Sequence, residues 1–137
     1  IYYNQETGTD QINAGGVVTA IQANILSGDF DITQKRSNTG QAVGTPDLRG
    51  DGEYIMRISR FIPDFISQTG NTQISFTTRA YPNSTPATTN FSIDPTTTFK
   101  STRIRARSIA LKVSNTGSNE DWKLGTFRLD IAPGGMR

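Results

Sequence analysis

This sequence contains two pairs of carboxylates whose members are separated by a single residue, a spacing that could bring each pair into one site. They are Asp29 with Asp31 and Asp51 with Glu53. Because side chains alternate between the faces of an extended chain, the members of each pair would lie on one face. Two adjacent carboxylates can bind Ca²⁺ or serve as acid and base in glycoside hydrolysis. Aspartates in loops more typically accept hydrogen bonds from their own backbone, and we favour that structural role.

Most other catalytic chemistry lacks the residues that it needs. The chain contains no His and no Cys, which excludes Ser-His-Asp and Cys-His catalysis and thiolate metal sites. The segment 47–53 lacks the spacing of an EF-hand, and its Arg49-Gly50-Asp51 tripeptide is too short to identify an integrin ligand. We therefore predict no catalytic residue, no metal site and no cofactor, and we expect that the chain is not an enzyme.

Arg103, Arg105 and Arg107 alternate along the sequence and would share one face of a strand, with Lys100 nearby. Such a stripe could contact DNA phosphates, or it could be a solvated face that pairs with carboxylates of a neighbouring subunit. No aromatic residue is interleaved to stack on bases, and the net charge of +2 gives little attraction for nucleic acid. We favour the second interpretation, a basic interface, and expect no sequence-specific binding of nucleic acid.

The remaining candidates for ligand binding are Trp122 and a glycine pair near the end of the chain. An exposed Trp122 could be a platform on which a sugar stacks, but a single Trp opening a strand is more often a core or interface plug. Gly134-Gly135 could hold a phosphate only if a helix followed, and none is predicted.

The composition bounds the fold that must position these residues. Of 137 residues, 34% are hydrophobic and 19% are charged, and much of the remainder is Thr, Ser, Asn, Gln and Gly. This length and content suit one domain with a modest core, and Thr favours half-exposed strands. The chain has no run of about 18 apolar residues, so no membrane-spanning helix is predicted.

Alternating apolar residues predict strands, and no segment has convincing helical periodicity. Strands are predicted over 17–26, 54–62, 74–78, 96–114 and 123–131, and long irregular loops over 33–53 and 81–95. Pro63 is expected to end the second strand, and the change of face near Arg107-Ser108 indicates a β-bulge or a strand that passes between sheets. The predicted fold is an all-β antiparallel β-sandwich, jelly-roll-like or immunoglobulin-like, whose long polar loops bind partners.

The chain divides into an N-terminal arm or linker over 1–16, with Tyr2-Tyr3 as its aromatic anchor, and a single β-sandwich domain over 17–137. Because it begins with Ile1 and lacks a starting Met, we expect it to be part of a longer polypeptide. The residues expected in the core are Phe76, Ile109, Leu111, Val113, Trp122, Phe127, Leu129 and Ile131.

Six segments, in this order, resemble the C-terminal region of virion structural proteins from short-tailed bacteriophages. They are SGDFDI (27–32), LRGDGE (48–53) leading into RFIPDF (60–65), RAYPN (79–83), RIRARSIALK (103–112) and WKLGTFRLDI (122–131), followed by GGMR at 134–137. Within this family the chain is most similar to the tail nozzle, tail hub, tail tubular or stabilisation type, and the resemblance covers nearly all of 17–137.

The resemblance implies a structural protein located in the virion, with no catalytic residues. It implies a homo-oligomeric ring, a hexamer, that extends the tail and conducts DNA during ejection, with tail adaptor, portal-proximal or fibre proteins as partners. Two alternatives from other classes stay open. One is a receptor- or carbohydrate-binding module on the virion surface, which an exposed Trp122 would favour. The other is a polysaccharide-degrading enzyme, which would need a cleft with two carboxylates.

Overall fold

A computed structural model describes residues 10–12, 15–36, 42–47 and 54–135, and these residues form antiparallel strands and turns with no helix. The strands are β1 (Asp10–Ile12), β2 (Val18–Ala20), β3 (Asn24–Leu26), β4 (Thr33–Arg36), β5 (Ala42–Asp47), β6 (Met56–Thr69), β7 (Thr72–Arg79), β8 (Ala87–Ile93), β9 (Lys100–Ala106), β10 (Ser108–Asn115) and β11 (Asp121–Pro133). In the described part of the chain, no helix is long and apolar enough to cross a membrane.

Seven of these strands form two antiparallel sheets that pack face to face. The four-stranded sheet has the order β3-β10-β7-β8, and the three-stranded sheet has the order β11-β6-β9. Buried side chains from both sheets meet in a single cluster between them. The predicted all-β antiparallel sandwich is therefore confirmed. β1 pairs with β2 and β4 with β5 in separate two-stranded sheets.

Four phenylalanines, one from each of four strands, meet in the middle of the core. Phe61 of β6 is fully buried, and its ring centroid lies 5.3 Å from that of Phe76 of β7. The same ring lies 5.2 Å from Phe91 of β8 and 5.7 Å from Phe127 of β11. At such distances aromatic rings attract each other beyond their burial of apolar surface. Phe61 therefore links its own sheet, through Phe76 and Phe91, to the opposite one.

The predicted change of face near Arg107-Ser108 is the point where the chain leaves one sheet for the other. β9 ends at Ala106 in the three-stranded sheet, and β10 begins at Ser108 in the four-stranded sheet. Ala106 faces the core from the first sheet and Ile109 from the second, so the inward-facing positions change parity between them. Of the two alternatives, the strand that passes between sheets is confirmed.

The prediction of an irregular connection over 81–95 is wrong, because β8 lies inside it. β8 pairs with β7 along its whole length, and the Thr77 and Thr88 hydroxyls of the two strands lie 3.2 Å apart. The prolines in this segment flank β8 instead of interrupting it. Most of β8 is exposed, since it is an edge strand, so the apolar alternation that identifies half-buried strands is almost absent.

The prediction of one long loop over 33–53 is also wrong, because β4 and β5 pair within it. The pairing includes Gln34 opposite Pro46, with a register shift between Gln34 and Arg36. A two-stranded ribbon is held by its backbone hydrogen bonds, so the low apolar content of this segment gave no sign of it. The residues of the predicted loop at 37–41 and 48–53 lie outside the described part.

The single strand predicted over 17–26 is divided into β2 and β3, and the cause is the buried side chain of Asn115. Its amide Nδ2 donates to the Ile21 carbonyl at 2.6 Å, and its Oδ1 accepts from the Ala23 backbone N–H at 2.8 Å. These bonds occupy backbone groups that a continuous strand would use in a ladder. The chain therefore changes partner here, from β1 before the break to β10 after it.

Pro63 does not end a strand as predicted, because β6 continues through it to Thr69. The pairing of β6 with β9 stops at Phe61, so beyond that residue β11 is the one described strand that pairs with β6. On the β11 side, the register shifts between Leu124 and Phe127, and Phe127 lies opposite Pro63. Proline lacks a backbone donor and is tolerated at edges and bulges, and Pro63 meets both conditions.

Glu120 holds the turn between β10 and β11. Its carboxylate accepts hydrogen bonds from Thr116 Oγ1 at 2.7 Å and from the Gly117 backbone N–H at 2.6 Å. Burial raises the pKa of Glu120, but these bonds and one from the Asn71 backbone outweigh it, so the pKa lies below its ordinary value. Glu120 also packs against the β6–β7 turn, where Gly70 has a φ of +71° and a Cβ would lie 2.8 Å from Glu120 Cγ.

We expect Phe61→Ala to lower the free energy of unfolding by about 3–5 kcal/mol, because it leaves a cavity where the two sheets meet. Phe99→Ala is the matched control: Phe99 is 51% exposed, so we expect a loss below about 1 kcal/mol. Urea unfolding followed by circular dichroism measures both. Equal losses for the two variants would contradict the central role of Phe61.

We expect Glu120→Gln to destabilise the protein at neutral pH and to have little effect in acid. A carboxylate with a lowered pKa stabilises the fold above its unfolded-state pKa, and this contribution disappears as the pH falls through the folded-state pKa. The neutral-pH loss should be about 1 kcal/mol or less, since the side chain is partly solvated. Thermal unfolding across a pH series measures it, with the exposed Asp121→Asn as control. A loss that is independent of pH would refute the assignment.

Candidate interaction surfaces

Three arginines form an exposed cluster on the outer side of the three-stranded sheet, and we call Arg57, Arg103 and Arg105 the arginine face. Arg57 of β6 lies directly opposite Arg105 of β9 in the strand register, next to the buried pair Ile58 and Ile104. Cβ atoms of directly opposed residues lie about 4.5–5.5 Å apart. Arg103 follows two residues from Arg105 on the same face, a step of about 6.7 Å. All three side chains are exposed.

Two described carboxylates of this sheet and its strand ends form ion pairs with other arginines. Arg60 Nε donates to Asp130 Oδ2 at 2.6 Å, and its guanidinium lies 5.7 Å from the centre of the Phe99 ring. Arg128 pairs with Asp64 at 3.5 Å. Among the described residues, no carboxylate forms an ion pair with any member of the arginine face. Like charges directly opposite in a sheet repel, so the arrangement is unfavourable in the isolated chain.

An open groove of about 640 Å³ runs beside the arginine face, between the edges of the two sheets. Arg103 and Arg105 contribute to its lining from β9, and Thr89 and Phe91 from β8. Both β8 and β9 are edge strands, each bonded to one neighbour in the described part of the chain. The groove is therefore bordered by two strand edges and by two cations of the arginine face.

Arg107, the third residue of the predicted stripe, leaves the outer side of the three-stranded sheet, although it still lines a small cavity together with Arg105. It occupies the crossing between the sheets, where its guanidinium lies over the Tyr81 ring, 5.5 Å from the ring centre. Arg57, which was not predicted as part of the stripe, lies beside Arg105 in its place. The alternation of Met56, Arg57 and Ile58 shows that Arg57 faces outwards, but only the pairing of β6 with β9 shows that it opposes Arg105.

A cleft of about 550 Å³, which we call the end cleft, lies where the β7–β8 connection meets the crossing between the sheets. Asp29 and Asp31, the first predicted carboxylate pair, both line it. They share a direction because Phe30, between them, faces the core and forms a β-bridge with Ile109. The other lining residues are Ala80, Tyr81, Pro82, Arg107 and Ser108.

Ser84 fixes the loop that carries Tyr81 into the end cleft. Its hydroxyl oxygen accepts hydrogen bonds from the backbone N–H groups of Ala80 and Tyr81, both at 3.1 Å. The same hydroxyl donates to the Tyr81 carbonyl at 2.8 Å, and the Ser84 backbone N–H donates to that carbonyl at 3.0 Å. The ring of Tyr81 is 62% exposed although its backbone is held in place. The sequence gave no sign that Tyr81 joins the Asp29 and Asp31 pair, because the residues that follow it, 82–86, are those of an ordinary polar turn.

The residues expected in the core are divided between its centre and its margin. Phe76, Ile109 and Val113 are fully buried. The half-buried ones that pack against the core are Leu111, Trp122, Phe127, Leu129 and Ile131. The ring of Trp122 contacts Phe65 edge-on at 6.5 Å, and its Nε1 is buried without a hydrogen-bond partner in the described part of the protein. This position suits a packing residue and leaves little of the ring for a sugar.

The other sites predicted from the sequence lie either outside the described residues or in the strand pairing. Asp51, Glu53 and the Arg49-Gly50-Asp51 tripeptide lie outside the described residues. Gly134 and Gly135 extend the β11 pairing, since Gly134 N–H donates to the Ile55 carbonyl at 2.6 Å and Ile55 N–H to the Gly135 carbonyl at 2.9 Å. No group of three or more acidic side chains that could hold a metal ion occurs in the described ranges.

Comparison with known protein families and with curated proteins found no match to the chain.

We expect Arg105→Thr to raise the free energy of unfolding by about 0.2–1 kcal/mol at low ionic strength, because it removes the repulsion from Arg57. In about 1 M salt the gain should nearly vanish through screening. Arg128→Thr is the control with the same loss of charge, and it should be neutral or slightly destabilising because it breaks the Asp64 pair. Chemical unfolding at both salt concentrations measures these effects. Destabilisation by Arg105→Thr at low salt would contradict the repulsion that we infer between Arg57 and Arg105.

Proposed function

We propose that this chain is a structural protein of a tailed-phage virion, a tail nozzle or hub component through which DNA is ejected. The order of its sequence motifs supports the proposal, as does a rigid antiparallel sandwich with polar outer faces. Such a module acts by fitting beside identical copies and beside adaptor or fibre proteins. Repetition of one contact around a closed ring multiplies a modest contact energy.

The observation that carries the proposal is the arginine face. An exposed cluster of like charges, with Arg57 opposite Arg105 and no paired carboxylate in the described chain, costs stability in the isolated protein. An acidic surface on a neighbouring subunit would replace this repulsion with attraction, because guanidinium–carboxylate pairs form strong, directional hydrogen bonds. Charge complementarity of this kind chiefly sets which surfaces meet and in what orientation.

The edges of the sandwich supply a second type of contact. In the described part of the chain β8, β9 and β11 each have one side without a strand partner. β11 is protected against uncontrolled pairing by three register shifts, whereas β8 pairs regularly with β7 throughout. An exposed, regular edge beside a polar groove is suited to the addition of a strand or loop from another subunit.

The proposal predicts that the protein is found in virions. Mass spectrometry of purified tailed-phage particles that encode the chain should detect it, and immunogold labelling should place it at the tail. Cryo-electron microscopy of the same particles should then show a ring of identical copies at that position. Purified, infectious particles that lack the protein would refute the proposal.

The role of the arginine face is tested by a reversal of its charge. In the full polypeptide, Arg57→Glu with Arg105→Glu keeps two like charges opposite each other, so we expect stability to change little but incorporation into particles to fall about tenfold or more. Lys112→Glu with Lys123→Glu gives the same change in net charge at other surfaces and should assemble normally. Normal incorporation of the arginine variant would exclude this face as an interface.

A further inference from the structure

We propose that the end cleft is a binding site for an uncharged carbohydrate, with Tyr81 as the platform on which a sugar ring stacks. The site goes beyond the proposed tail function and is independent of it. The two surfaces adjoin, because Tyr81 and Arg107 of the end cleft line a smaller cavity together with Arg105 of the arginine face. Tyr81 is not a member of the arginine face, and Arg57 and Arg103 line neither cavity, so each surface has residues that can be altered by themselves.

Tyr81 has the properties of a stacking platform. Aromatic rings that bind sugars must be exposed on one face and held still, because a mobile ring loses entropy on binding. Tyr81 is 62% exposed, its backbone is fixed by Ser84, and the Arg107 guanidinium lies over its ring at 5.5 Å from the centre. Arg107 thus supports the ring by a cation–π contact, and the large exposed fraction of Tyr81 is available to the apolar face of a sugar.

Asp29 and Asp31 supply the polar contacts that a sugar needs. Both carboxylates line the end cleft, two residues apart on an extended segment, at a separation fixed by the Phe30–Ile109 bridge. Carboxylate oxygens accept hydrogen bonds from neighbouring hydroxyl groups, and the Ser108 hydroxyl can donate or accept. An open cleft of about 550 Å³ with an aromatic wall and few polar groups has the dimensions of a small-ligand site.

The balance of charge in the end cleft selects a neutral ligand. Asp29 forms an ion pair with Arg79, which holds its carboxylate in place and offsets its charge. The second carboxylate, Asp31, shares the cleft with the cationic Arg107. Among the described residues that line the cleft or form an ion pair with its lining, two carboxylates accompany two guanidinium groups. A polyhydroxyl compound can use both the donors and the acceptors of such a mixed lining.

The test is binding of the full chain to an array of oligosaccharides. The array should contain neutral chains of glucose, galactose, mannose and N-acetylglucosamine, together with sialylated and sulfated chains. We expect binding to one or more neutral chains, confirmed by titration calorimetry. Tyr81→Ala should weaken that binding about tenfold or more, and Tyr81→Phe, which keeps the ring, should leave it within about twofold.

Phe99→Ala is the matched control, because Phe99 is a similarly exposed aromatic residue that also lies against an arginine, but outside the end cleft. It should bind the same oligosaccharide as the unchanged protein does. The proposal is overturned if no neutral chain binds at millimolar concentration, if only the acidic chains bind, or if a correctly folded Tyr81→Ala variant binds normally. Loss of glycan binding with normal incorporation into particles would separate this site from the tail function.

Discussion

The contacts of Phe61 are the interaction on which the rest of the structure depends. Its ring is in contact with three others, which come from β7, β8 and β11, so one buried side chain relates four strands and both sheets. Because the side chains that hold the two sheets together lie in this central cluster, many outward positions are free to hold charges and hydroxyl groups. Because its stability comes from the buried cluster, the sandwich can carry mutually repelling arginines on its surface and stay folded.

The passage of the chain from β9 to β10 determines where the basic residues act. Had the strand continued straight, Arg103, Arg105 and Arg107 would have formed one stripe. Instead the crossing leaves Arg103 and Arg105 on the outer side of the three-stranded sheet and turns Arg107 towards Tyr81. Core packing requires the change of face, since Ala106 and Ile109 must both point inwards from opposite sheets. Both candidate surfaces are therefore consequences of a single constraint in the core.

The parts of the fold that the sequence predicted are those in which one residue face is buried. The alternation in β6, β7, β10 and β11 predicted these strands, and the change of face predicted the crossing, because burial imposes a period of two. It could not predict β8, which is mostly exposed, or the break at Ile21 and Ala23, which depends on the distant Asn115. The carboxylate pair Asp29 and Asp31 could be placed on one face, but its meeting with Tyr81 depends on tertiary structure.

The two candidate surfaces differ in their electrostatics, and the difference indicates different classes of partner. On the arginine face, Arg57 and Arg105 gain only when an external anion is added, so this surface is suited to acidic side chains held rigidly by another subunit. In the end cleft the charges are already matched within the chain, and Asp29 is bound to Arg79, so an added charge gains little. A ligand there must use shape, stacking and hydrogen bonds instead. Under the two proposals, one small sandwich would join an assembly through one surface while its end recognises an uncharged ligand.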